Sequence, residues 1–181
     1  MLNCSVGQIS AVKILDELIL PLVIVAVSRY LSIFIAALVL PFSFSLSLAG
    51  GYHSLWFIDF PNKTQAAQAN LISWLFVTTV LAAYFGFVVF RSLHFSHEQL
   101  HPKHAQKLHS RNMEFLIINQ EEAFHQIVSW LAIDLLIFTF LFFDFLNGGL
   151  GAAALGYFLG ISGALLTLCY VVFDRARKLN A

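Results

Sequence analysis

The chain has 181 residues, 59% of them hydrophobic and only 11% charged, with a mean hydropathy of +0.80. A soluble domain of this length cannot hide that much apolar surface, so lipid is the expected solvent for most of it. Ten Lys plus Arg balance ten Asp plus Glu, so nothing in the net charge points to nucleic acid, and no nucleic-acid partner is expected.

The first ten residues, MLNCSVGQIS, carry no basic n-region and no small-residue cleavage site, so no removable signal peptide is expected. Cys4 and Cys169 lie far apart and form neither a disulfide framework nor a CxxC pair, and each reads as a free structural thiol.

The first apolar region, residues 18–48, is too long for one simple span and too short for two, since a spanning helix takes about 20 residues. Two registers compete. A span at 18–40 is bracketed by Pro21 and Pro41 but buries Arg29 near its middle. A span at 30–49 puts Arg29 at a boundary, avoiding about 2.5–3.5 kcal/mol on insertion scales, yet leaves LILPLVIVAV outside as a helix apolar on every face. Residues 42–60, FSFSLSLAGGYHSLWFIDF, alternate before Gly50-Gly51 and favour the first register. They predict a short outer β-hairpin with Leu46 opposite Leu55 and Phe44 opposite Phe57. The competing expectation is that the first helix runs on through 42–49.

Three further spans are plain: 71–90, 127–146 and 150–173. Arg91, Lys103, Lys107 and Arg111 fall between the second and third, and Arg175, Arg177 and Lys178 follow the fourth, whereas 50–70 carries only Lys63 and 147–149 carries none. The positive-inside rule then puts both termini in the cytoplasm, in an inner or plasma membrane. Trp56 and Trp74 are expected at the outer interface and Trp130 at the inner one. No Gly or Pro interrupts 103–146, and Pro102 suits a first helical position. One helix of roughly 65 Å is therefore expected from there, making a cytoplasmic helical hairpin over 91–126.

Small residues recur every four positions at Gly148, Ala152, Gly156, Gly160 and Ala164. Close backbone approach is what holds helices together in lipid, so this ridge predicts tight packing, either within the chain or against another subunit or a second copy. Two carboxylates also fall in the third span. Asp134 is expected to pair with Arg29; the alternatives are a neutral carboxyl bonded to a Ser or Thr, or a relay. Asp144 reads as interfacial.

Five of the seven histidines crowd into HFSHEQLHPKHAQKLH at 94–109. His94, His97, His101 and His104 are spaced for one helical stripe apart from the break at Pro102, and imidazoles at i and i+4 can chelate one Zn, Cu, Fe or Ni ion. Glu98-x-x-His101 and Glu122-x-x-His125 are two Glu-x-x-His motifs of the kind used in di-iron bundles. Against these stands a plain reading, in which the segment is solvated or leans on anionic headgroups and gains positive charge as pH falls. No phosphate-binding glycine loop, HExxH or GxSxG occurs.

The sequence thus predicts an all-α integral membrane protein, a single membrane domain over 1–181 with four transmembrane helices. It reads as a non-catalytic subunit or accessory protein of a larger membrane assembly, in contact with lipid and with other subunits. The rival readings are a divalent-metal transporter or sensor using the histidine cluster, and a membrane di-iron oxidase or hydroxylase using both Glu-x-x-His motifs.

Overall fold

Long apolar runs without competing backbone interactions fold as helix, and four helices here are long and apolar enough to cross a membrane: Glu17–Leu38, Lys63–Ser92, Glu121–Leu146 and Ala152–Lys178. A computed structural model of the chain describes residues 11–40, 43–47, 54–55, 57–93, 102–111 and 120–179. Its elements are α1 (Ala11–Val39), β1 (Ser45–Leu46), β2 (Ser54–Leu55), β3 (Ile58–Asp59), α2 (Lys63–Ser92), α3 (Pro102–His109), α4 (Gln120–Leu146) and α5 (Ala152–Leu179). Two compact units are formed. Met1–Pro21, Ala83–Ile133 and Gly163–Ala181 make one, and Leu22–Ala82 with Asp134–Ser162 the other.

In the second of these units α1 takes the earlier register, ending at Val39, and Arg29 is buried as that register requires. The segment after it forms strands, but not in the expected pairing. The strand order is β1-β3-β2, with Leu46 and Leu55 both opposite Ile58 rather than each other. Gly50 and Gly51 lie outside the described residues. The β2–β3 connection is only two residues long, and its second residue, Phe57, sits at φ 71° in the left-handed region that bulky residues rarely adopt. Ile58, Phe60, Ile33, Ala36, Ala37, Ala66 and Ala69 form the core here, and Phe34 and Phe44, edge to face with each other, pack against it.

Helix α2 begins at Lys63, eight residues before the expected span, because Asn62 caps it: Asn62 Oδ1 accepts from the Gln65 backbone N–H at 2.9 Å. That early start brings Ala66 and Ala69 into the core.

In the first unit Trp130 stacks on Tyr84 and Phe85, and Phe124 meets Phe173 edge to face. The end of α2 is tied down by Arg175, whose Nη1 donates to the Leu93 carbonyl at 3.1 Å. Pro102 opens α3 as expected, but the long helix does not follow. Ser110 and Arg111 are in a turn, Ser110 Oγ donates to the Lys107 carbonyl, and the Arg111 N–H reaches back only three residues to Leu108. A serine hydroxyl competing for a backbone carbonyl ends a helix without Gly or Pro. Much of the expected hairpin, at 94–101 and 112–119, lies outside the described residues.

Between α4 and α5 the Gly149 N–H bonds the Asp144 carbonyl at 2.9 Å and the Gly148 N–H bonds that of Phe145 at 3.0 Å. With Gly148 at φ 67° this is a Schellman cap. Gly148 is therefore glycine for its backbone, and it precedes α5 rather than belonging to a packing ridge on it. Gly148→Ala should destabilise the chain in detergent by about 1–2 kcal/mol, the cost of a Cβ in the left-handed region. Gly156→Ala, at a helical position where an added Cβ meets nothing within 4 Å, should leave the isolated chain as stable as before. Paired denaturation curves check both, and equal losses at the two positions would remove the distinction.

Candidate functional site

Buried polar groups in an apolar helix bundle are costly unless they find partners, so they mark where function or specificity is built. Arg29 is one, at 5% exposure. Its guanidinium lies 4.0 Å from the Trp74 ring centre, its Nη2 donates to Asn70 Oδ1, and its Nη1 reaches the Asn70 carbonyl at 3.4 Å. Asp144 supplies the counter-charge, with Oδ2 4.0 Å from Arg29 Nη2. The same oxygen accepts from Trp74 Nε1 at 2.7 Å and Asn70 Nδ2 at 3.1 Å, and Asn70 Nδ2 also reaches the Gly149 carbonyl at 3.1 Å. One turn along, the Ser32 and Ser73 hydroxyls bond each other and both reach the Arg29 carbonyl. Within this cluster, Arg29 Nε is buried with no partner.

The expected Arg29–Asp134 pair is not formed. Arg29 takes Asp144, the carboxylate read as merely interfacial, and Asp134 accepts a hydrogen bond from Ser162 Oγ at 2.7 Å. Equal depth along two helices does not fix the face on which each side chain points, and α2 interposes Asn70 and Trp74 beside the guanidinium. Asn70 escaped the sequence reading because it stands just outside the apolar window at 71–90. Trp74 and Trp130, expected near the outer and inner interfaces, are both buried in the protein, each at 6% exposure; Trp56 lies outside the described residues.

Of the candidate metal ligands, His94, His97, Glu98 and His101 lie outside the described residues, and His104 falls on α3 with its side chain likewise outside them. Glu122 and His125 stand on α4. The Glu122 carboxylate is engaged by Arg91 at 3.6 Å and by Gln126 Nε2 at 3.1 Å. His125 is 3% exposed, with Phe124 edge to face against it, and its Nε2 is buried without a hydrogen-bond partner. Among the described residues no three His, Cys, Asp or Glu side chains converge as a metal site.

The ridge on α5 is the remaining candidate. Ala152, Gly156, Gly160 and Ala164 are all exposed, and a Cβ on Gly156 or Gly160 would meet nothing within 4 Å. Among the described residues nothing packs against Gly156 or Gly160 where a side chain would be. No family model, curated protein or solved structure matches the chain.

The Arg29 cluster makes a quantitative expectation. Asp144→Ala leaves a buried guanidinium without its carboxylate and should cost about 1–3 kcal/mol, the range for a hydrogen-bonded charged group. Arg29→Met, which removes the buried charge and keeps the volume, should recover most of that loss in the double variant. A double-mutant cycle on unfolding in detergent measures it; a loss of the same size in both backgrounds would mean the two groups are not coupled.

Proposed function

We propose that the chain is a small integral membrane subunit or accessory protein that joins a larger assembly through the small-residue face of α5. The observation that carries this reading is that Ala152, Gly156, Gly160 and Ala164 are exposed together on one helix. Lipid tails are as apolar as leucine, so there is little hydrophobic drive between helices in a bilayer, and a lane without side chains gains its stabilisation from a second helix approaching closely. Tyr157 and Leu159, at 41% and 49% exposure, give that lane raised edges against which a partner helix would register.

In this reading both termini and the basic, histidine-rich segment after α2 face the cytoplasm. Arg91 in the last turn of α2 and Arg177 and Lys178 in the last turn of α5 support that orientation, together with the near absence of Lys and Arg from the opposite connections. A cysteine introduced at Asn62 should react with an impermeant maleimide in intact cells, and one at Gln106 only after permeabilisation. The reverse pattern would invert the topology.

The assembly itself is tested by Gly156→Leu/Gly160→Leu, with Val23→Leu/Val27→Leu on the exposed face of α1 as the control. After mild detergent extraction from native membranes the unaltered chain and the control should migrate well above the mass of one chain, and the glycine double variant should collapse to it. A single-chain mass for the unaltered protein would refute the reading outright.

A further inference from the structure

The charged side chains of one of the two units do not balance. In the unit formed by Leu22–Ala82 and Asp134–Ser162 the charged residues are Arg29, Asp59, Lys63, Asp134 and Asp144. Lys63 is exposed at the head of α2, and Asp59 lies in β3 before it. Arg29 is matched to Asp144. Asp134 is left, 7% exposed, held by the hydroxyl of Ser162 at 2.7 Å.

Among the described residues no cation is paired with it. On α4 the next charged residues are Glu122, roughly 18 Å away, and Asp144, roughly 15 Å away at 1.5 Å per residue. Neither carries positive charge. On α5 no charged residue occurs from Ala152 to Phe173; on α2 none occurs between Lys63 and Arg91; and on α1 Arg29 is the only one after Glu17. The titratable side chain nearer along α4 is His125, buried roughly 13 Å before Asp134 at 1.5 Å per residue. Tyr157 is engaged with Thr79, and Tyr30 is exposed.

We propose that Asp134 and Ser162 form a proton-binding site within the membrane-spanning part of the chain. A carboxylate in an apolar surround with no counter-ion recovers its lost solvation by taking up a cation. The occupant follows from the ligand count. A metal cation needs several oxygen ligands around it, and among the described residues Asp134 has one hydroxyl. A proton needs only one carboxyl oxygen, and Ser162 bonds the carboxyl whether or not the proton is present, since a hydroxyl both donates and accepts. The proposal stands apart from the assembly reading, because the site is complete within one chain.

Dicyclohexylcarbodiimide, which partitions into lipid, tests it on the intact protein in detergent and in vesicles. A carboxylic acid adds across the carbodiimide C=N bond, its oxygen going to carbon and its proton to nitrogen, so the ionised form does not react. Peptide mapping should find the adduct on Asp134 and not on Asp144, absent in Asp134→Asn. Above its midpoint the yield should fall about tenfold per pH unit. Infrared difference spectra between acid and alkaline buffer read the same proton without any reagent, and should show an acid carbonyl band that Asp134→Asn removes. Ser162→Ala should move the midpoint while keeping the adduct; an unmoved midpoint would take Ser162 out of the site. No adduct on Asp134 at any pH, together with no band lost in Asp134→Asn, overturns the proposal. So does an adduct whose yield ignores pH, because that carboxyl would never release its proton.

Discussion

Arg29 can lie inside an apolar helix because Asn70, Trp74 and Asp144 converge on its guanidinium, and much of the surrounding structure is arranged to let them. Asp144 belongs to the last turn of α4, where its backbone carbonyl closes the Schellman cap through Gly149 while its side chain faces Arg29 and Trp74. Asn70 bonds both that carboxylate and the Gly149 carbonyl. The turn that starts α5, the register of α2 and the burial of Arg29 are thus one constraint. Moving any of the three would leave the buried guanidinium without its partners.

The spans themselves were legible, because length and apolarity are all that crossing a bilayer demands. Pro102 as a helix start was legible for a similar reason, since its missing N–H costs nothing there. Partnerships were not. Depth along a helix can be counted from sequence, but helix rotation about its axis comes from packing, and a wrong rotation assigned Arg29 to Asp134. The strands fail in a related way. Alternation correctly groups Leu46 and Leu55 as strand-forming, yet it does not say which strands pair, and β3 comes to lie between β1 and β2. The break after His109 was hidden because Ser110, a common residue, ends the helix where no Gly or Pro warns of it.

The fourth span shows how one spacing can have two physical causes. Gly148 falls on the same four-residue repeat as Gly156 and Gly160, but its φ of 67° makes it a backbone requirement. The other positions sit in regular helix with no such demand and no neighbour. Their smallness is therefore not explained by any contact among the described residues. An exposed lane of that kind in lipid exchanges weak contacts with mobile acyl chains for close contacts with a rigid partner, which is the physical reason for placing an interface there.

The two carboxylates of α4 meet opposite fates for the same electrostatic reason. With one buried guanidinium and two acids in a unit, all three cannot be ionised and locally neutral. Geometry decides which acid is served. Asp144 stands at the helix end where Asn70 and Trp74 already converge, and it is partly open to the surroundings, its side chain 38% exposed. Asp134 stands ten residues deeper with a serine. An acid that has found a fixed cation is held and has little to exchange. An acid left with a hydroxyl has its counter-charge still to find, and only a mobile one is small enough to reach it there.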